Sequence, residues 1–313
     1  MPAEPAEPAE PGALSTASGG ADGSFLSGDP VPGRSSQELR EPLSDPSPGS
    51  APALLEAGQV RAMFDRIAGV YDPLNTAMTA GLHHRWRARA ADLARVGPGS
   101  RVLDVATGTG DLAIELARRV APGGEVLGSD FSEAMLSHAR AKAERAGARG
   151  VRSGAAVKPR FEWADALELP YAEDSFDAAT AGFGVRNFSD LGRGLAEMAR
   201  VVRPGGRVVI LEMTTPSRPP LSFFYRLWFD RLVPVLGRLT GALAARRSRW
   251  RGSGLDGTIA DAYAYLPDSV RRFPAPEALA AEMERAGLRD VSYLLTAGGI
   301  IAIHAGTVAL ERS

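Results

Sequence analysis

Chemistry concentrates in Arg101-Val102-Leu103-Asp104-Val105-Ala106-Thr107-Gly108-Thr109-Gly110-Asp111-Leu112-Ala113. A short β-branched apolar run carries an acid, turns through two glycines and opens into a helical pattern, which reads as a buried parallel strand followed by a helix. Gly108 and Gly110 permit backbone conformations and close ligand approach that a Cβ would obstruct. They bring a ligand to the start of the helix, at the carboxyl end of a strand, where open α/β sheets bind. Two further acids end predicted strands. Asp130 closes Glu125-Val126-Leu127-Gly128-Ser129-Asp130 and suits a pair of ribose hydroxyls. Asp165, with Ala166, follows Arg160-Phe161-Glu162-Trp163-Ala164 and can reach an adenine amino group. Gly108, Gly110 and Ala113 also fit the dinucleotide pattern G-x-G-x-x-A, so a nicotinamide-dependent dehydrogenase is open at this point. Asp104 ahead of the loop and the acid at Asp165 weigh against it.

These residues need a sheet to hold them. Val60, Met63, Phe64, Ile67 and Ala68 recur at helical spacing. Val70-Tyr71-Asp72-Pro73-Leu74-Asn75 breaks that helix at Pro73, and a second helical stretch holds His83, His84, Arg85 and Trp86. Polar and aromatic groups cluster at the break, so the pair is read as a lid with Tyr71 over a cofactor. Helices are expected over Asp111 to Val120 and from Ser132-Glu133 to about Ala146, with Gly147 to Pro159 an insertion loop. A fourth strand, Ser175 to Ala181, leads into Gly182-Phe183-Gly184-Val185-Arg186-Asn187-Phe188. A helix runs from Ser189-Asp190 to about Val201. A sharp turn at Arg203-Pro204-Gly205-Gly206 precedes a fifth strand, Arg207 to Met213. Arg289 to Thr296 and Ile300 to Thr307, joined by Ala297-Gly298-Gly299, read as a hairpin. The fold class is α/β: a doubly wound, mostly parallel seven-stranded sheet with N-terminal helices and a helical cap. A parallel sheet finished by an antiparallel pair is similar to the S-adenosylmethionine-dependent methyltransferase type.

The chain has 313 residues, 44% apolar and 23% charged, with a formal net charge of -1, which gives no support to a nucleic-acid partner. With no cysteine, disulfides, zinc-thiolate sites and thiol catalysis are excluded, and no metal site is read. No charged-then-apolar leader and no apolar run long enough to span a bilayer are found. The expected place is the cytoplasm, with peripheral contact at the inner face of the membrane. Residues 1–53 are rich in Pro, Ala, Glu and Ser, open on an Ala-Glu-Pro repeat, and read as a disordered tail. Residues 54–313 read as one domain, with lid helices at 54–97 and a helical cap insertion at 216–267.

From about Val60 to its end, the chain resembles the C-methyltransferases of menaquinone and ubiquinone biosynthesis, the demethylmenaquinone methyltransferase type. The resemblance rests on Phe64 through Asn75, the Asp104–Asp111 loop, Gly182 through Asn187, Glu197-Met198 through Gly206, and Tyr265-Leu266-Pro267-Asp268-Ser269. The Phe-Gly-x-Arg-Asn and Tyr-x-Tyr-Leu-Pro-x-Ser segments are far more specific than the glycine loop. The resemblance implies S-adenosyl-L-methionine as cofactor, placed against Gly108 and Thr109, Asp130, and Asp165-Ala166, and a prenylated quinol as partner. The implied reaction is demethylmenaquinol to menaquinol; a ubiquinone precursor or another small acceptor is the alternative. At Gly182 the family usually shows a serine touching the cofactor, and the 147–159 loop and the stretch from Arg238 to Gly254 look longer than its pattern.

A sulfonium methyl donor carries its own activation, so the protein aligns the acceptor carbon and excludes water. A quinol carbon becomes a good nucleophile when an adjacent hydroxyl loses its proton. Arg186 is expected to stabilise that phenolate or to orient a water that takes the proton, and Asn187 to position the ring hydroxyl. Arg186 itself is no base, because guanidinium stays protonated. A structural salt bridge is the competing reading for Arg186. His304 is expected to be a satisfied core or edge residue, and His83 and His84 to lie at the surface. Phe223, Phe224, Tyr225, Leu227, Trp228 and Phe229, within Leu221 to Leu236, suit either a packed cap or a wall for a polyprenyl tail. Arg238, Arg246, Arg247, Arg249 and Arg251 suit a solvated loop or anionic lipid headgroups.

Overall fold

The computed structural model describes residues 57–150, 157–216, 219 and 258–310. The chain divides into residues 1–53 and 54–313. The tail, most of the cap with its aromatic run and following arginines, and residues 151–156 of the insertion loop lie outside the described residues.

Seven strands form one sheet in the order β3-β2-β1-β4-β5-β7-β6. They are β1 (Arg101–Val105), β2 (Glu125–Asp130), β3 (Arg160–Trp163), β4 (Phe176–Gly182), β5 (Val202–Met213), β6 (Leu288–Thr296) and β7 (Ile301–Val308). The first five pair in parallel and β7 runs antiparallel between β5 and β6. The helices are α1 (Ala57–Thr79), α2 (Leu82–Leu93), α3 (Asp111–Val120), α4 (Glu133–Gly150), α5 (Leu191–Val201), α6 (Thr258–Arg272) and α7 (Pro276–Arg285). Strand side chains alternate between faces, so the core divides in two. Val102, Val126, Val209 and Leu211 pack with Leu112, Leu116 and Leu136 on one face; Leu103, Leu127, Val208 and Ile210 pack with Leu195, Met198 and Met283 on the other. The central strands are thus buried on both sides, as their near-continuous apolar runs require, while the edge strands β3 and β6 are largely exposed.

The expected architecture is present, with three local corrections. Pro73 does not break the first helix; it sits exposed inside α1, which runs on to Thr79. The buried stripe of Val60, Met63, Ile67 and Ala68 anchors the helix before it. Past it, Thr76 Oγ1 pairs with His83 Nε2 at 3.2 Å and Thr79 Oγ1 donates to the Asn75 carbonyl at 2.7 Å. Together these offset the one N–H that proline lacks. The chain reverses instead at Ala80 and Gly81, with φ of 48° and 76°. The start of the presumed insertion loop is helical, because α4 continues to Gly150. The turn at Arg203–Gly206 is an irregularity within β5: Val202 pairs with Phe176 and Arg207 with Ala178, so five residue steps on β5 face two on β4.

At the carboxyl end of β1, Gly110 has a φ of 81°, and a Cβ there would come within 2.8 Å of the Phe161 ring. Both conformation and packing demand glycine. The tight turn aims the amino end of α3 at the space above β1, β2 and β4.

Candidate active site

That space is a cavity of about 290 Å³. Its walls come from the ends of β1, β2 and β4, the turn after β3, and α1. Among the sequence-predicted residues, Tyr71, Gly108, Thr109, Asp130, Asp165, Ala166 and Asn187 line it. Strand tips bring together groups separated by more than a hundred positions in the chain.

Asp104 and Asp130 form the floor. Asp104 is fully buried; its carboxylate accepts hydrogen bonds from Thr107 Oγ1 at 2.6 Å and Thr180 Oγ1 at 2.7 Å. Burial pushes its pKa up to about 6, against the pull of the two hydroxyls and of Arg87. Asp130 accepts from the Gly108 amide at 2.8 Å and from the Ser132 amide at 2.9 Å, one on each oxygen. Burial raises it to about 6 as well. A carboxylate oxygen has two acceptor sites, so Asp130 shapes the glycine loop and keeps capacity for a diol. Asp165 is exposed at the rim; its Oδ1 accepts from the Leu167 amide at 2.9 Å. Beside it Trp163 is 52% exposed, and its indole donates to the Phe131 carbonyl at 2.9 Å.

Thr109, expected against the cofactor, also makes side-chain contacts of its own. It lines the cavity, yet its hydroxyl donates to Asp72 Oδ1 at 2.6 Å and accepts from Lys142 Nζ at 2.9 Å. Lys142 also meets Asp72 at 2.5 Å and Asp111 at 2.7 Å. The threonine hydroxyl therefore ties α1 to the loop at the edge of the cavity. A second tie joins Ser132 Oγ to Asp65 of α1 at 2.5 Å. Asp72 belongs to the polar cluster that the sequence singles out, whereas Lys142 carries no such signal, because lysine on an amphipathic helix is ordinary.

Asn187 lines the cavity, and its Oδ1 accepts from Tyr265 OH at 3.0 Å. The two most specific sequence segments thus meet across α6 and the short 3-10 turn Val185–Asn187. Arg186 lies behind this wall rather than in it. Its side chain is only 7% exposed, and Nη1 donates to Glu212 Oε1 at 2.6 Å and to the Phe183 carbonyl at 2.7 Å. Burial works against its charge, but Glu212 foremost, with Tyr71 and Tyr265, raises its pKa on balance. The salt bridge considered for Arg186 is present; its partner Glu212 stands out as an acid in an apolar strand, but nothing near it in the sequence points to Arg186. Gly182, also in the lining, has Leu112 Cδ2 3.2 Å from where a Cβ would stand.

The histidines fall outside the cavity. His304, on β7, is buried with Nε2 donating to the Pro276 carbonyl at 2.9 Å, and burial holds its pKa down. His83, expected at the surface, is buried on α2, because α2 packs that face on the sheet and α3. Burial first, then Arg87 against its ring, lowers it to about 4. His83, His84 and Asp111 have ligand-type atoms within 4.8 Å of one another, but the Arg87 guanidinium hydrogen-bonds His83 Nδ1 and puts a cation where a metal would have to compete.

The sequence profile of the ubiE/COQ5 methyltransferase family matches residues 53–308. The demethylmenaquinone methyltransferase of Thermus thermophilus is 47% identical over 244 residues, 78% of this chain and 99% of that protein. That of Deinococcus radiodurans is 45% identical over 239 residues, 76% of this chain and 88% of that one. The ubiquinone/menaquinone biosynthesis C-methyltransferase UbiE of Geobacter sulfurreducens is 40% identical over 259 residues, 82% and 92% of the two chains. The crystal structure of the cyclase SpnF shares the fold, with a TM-score of 0.54 and 19% identity over 83% of this chain and 98% of that one. The chain belongs to the ubiE/COQ5 methyltransferase family, and the dehydrogenase reading of the glycine loop falls.

Proposed function

From that membership we propose that this protein transfers a methyl group from S-adenosyl-L-methionine to a ring carbon of a demethylated prenyl-quinol, converting demethylmenaquinol to menaquinol. The observation that carries the reading is the meeting of Tyr265 and Asn187 at one wall of a cavity whose other walls hold the acids suited to a nucleoside. Those walls fit the cofactor: Asp130 has acceptor capacity left, Gly108 has no atom within 4 Å of where a Cβ would stand, and Asp165 sits at the rim. When bound, the cofactor supplies an activated methyl on a sulfonium, a good leaving group.

The chain's own groups do the rest. Asp130 would take the ribose hydroxyls, Asp165 with Ala166 the adenine amino group, and Tyr71 would cover the site from α1. With its Oδ1 committed to Tyr265, Asn187 offers its NH2 group to the acceptor's ring oxygen. Arg186, permanently cationic, favours the phenolate of the acceptor by charge. The ring carbon of that phenolate would accept the activated methyl, with Asn187 and Arg186 holding the ring oxygen and its charge in place. The ring proton then leaves to water and aromaticity returns. The apolar cavity wall, with Phe64, Phe131, Phe183 and Phe188, keeps bulk water away from the methyl.

No helix among the described residues is long and apolar enough to cross a membrane. A polyprenyl acceptor resides in the bilayer, so a cytoplasmic enzyme must meet it by peripheral contact at the membrane's inner face. Purified protein given methyl-labelled S-adenosylmethionine and demethylmenaquinol is expected to yield labelled menaquinol by mass spectrometry. In Arg186→Ala, turnover is expected to fall at least 100-fold with cofactor affinity kept. Absence of label from the quinol overturns the function, and near-normal turnover in the variant removes Arg186 from the mechanism.

A further inference from the structure

We propose that Glu212 is the positioning residue for Arg186: its carboxylate fixes the guanidinium behind the cavity wall, beside Asn187, and so sets the charge that the acceptor's oxygen meets across that wall. This rests on the functional reading above. Glu212 is 1% exposed, at the end of β5 next to the cavity wall, and does not line the cavity. Its Oε1 accepts from Arg186 Nη1 at 2.6 Å and from the Met213 amide at 2.8 Å, and its Oε2 lies 3.4 Å from the Arg186 amide. The carboxylate is thereby fixed to the backbone of two elements before it touches the guanidinium.

Arginine has five N–H donors in a rigid fork. The Phe183 carbonyl and Glu212 take both hydrogens of Nη1. Nε is buried with no partner among the described residues. A bidentate grip, the usual geometry for this pair, would have engaged Nε or Nη2 as well. An unmet buried donor is costly, and here it belongs to a side chain flanked in sequence by residues of the cavity wall. The groups bearing on the guanidinium are Glu212 from β5, Tyr71 from α1 and Tyr265 from α6, with Arg272 acting in turn on Tyr265. Only Glu212 among them is a carboxylate. Its second effect is to offset part of the arginine's charge, and so to set how strongly the site favours the phenolate.

The test uses the full-length protein in the labelled-methyl assay, with Glu212→Gln and Glu212→Asp beside wild type. Removing the carboxylate's charge leaves Arg186 uncompensated and favours the phenolate. Glu212→Gln should therefore move the rising limb of the kcat–pH profile roughly one unit toward acid and lower the plateau about tenfold, with the KM for S-adenosylmethionine unchanged. Glu212→Asp keeps the charge but withdraws it by one methylene. It should lower kcat at least fivefold with the limb where wild type has it, and this variant carries the test if Glu212→Gln does not fold. A limb that stays put in Glu212→Gln, or wild-type kcat in Glu212→Asp, overturns the assignment and leaves a structural ion pair. Wild-type protein that methylates no quinol takes down the functional reading together with this one.

Discussion

Asp104 and Asp130 are the residues on which burial acts most directly, since both are pushed up to about 6. A carboxyl whose folded pKa lies above its unfolded value binds its proton more tightly when folded. Its stabilising contribution is present at low pH and is lost as pH rises through about 6. Replacing Asp104 by Asn removes that term and keeps an acceptor for Thr107 or Thr180. Wild type should therefore gain on Asp104→Asn as pH falls from 7 to 4, by up to about 2 kcal/mol. Urea unfolding of both proteins at the two pH values checks this, and a difference that is flat with pH contradicts it. Position explains why these acids were legible before the fold was seen. Each sits in or at the end of an apolar run, where an acid is too costly to keep without a use. Glu212 sits in such a run too, but its use depends on Arg186, which lies 26 positions earlier.

Among the elements, α1 contributes most beyond the sheet. Its Asp72 and Asp65 reach Thr109 and Ser132, at the start of α3 and α4, and Lys142 closes the group from below. Burial pushes Asp111 up, but Arg87 and Lys142 outweigh it and hold the carboxyl below its ordinary value. The polar cluster around Tyr71 lies within one continuous helix, tied down by these contacts, rather than at a junction of two helices at Pro73. Lys142→Met should loosen the latch at little cost to global stability, within about 1 kcal/mol, because the ion pairs are partly exposed. The KM for S-adenosylmethionine should rise several-fold, and hydrogen exchange should speed up in α1 while β1 and β4 keep their protection. Unchanged exchange in α1 would show that the apolar stripe alone holds it. Spacing could reveal the helix and its buried face; which lysine would meet Asp72, 70 positions away, is settled by packing.

For the whole molecule, the order β3-β2-β1-β4-β5-β7-β6 places the cavity where strand order reverses about β1 and β4, the switch point at which open sheets bind ligands. The family profile begins at residue 53, and the composition before it offers little to bury. A chain starting at residue 54 is expected to keep kcat and the thermal midpoint of the full-length protein. A fall of more than about 5 °C in that midpoint, which for a domain of this size corresponds to more than about 1 kcal/mol, would assign residues 1–53 a part in stability.

Local patterning determined the element types, the glycine loop and the acids at strand ends, because each depends on neighbours within a few residues: an alternation, a turn, a break in hydrophobicity. It also carried the segments on which the family rests. Tertiary structure alone decided that Thr109 would serve the latch, that His83 would be buried against Arg87, and that Arg186 would stand behind the wall in the grip of Glu212. Those outcomes turn on which side chains meet across the sheet, and a charge in a sequence does not say which opposite charge it will find once water is excluded.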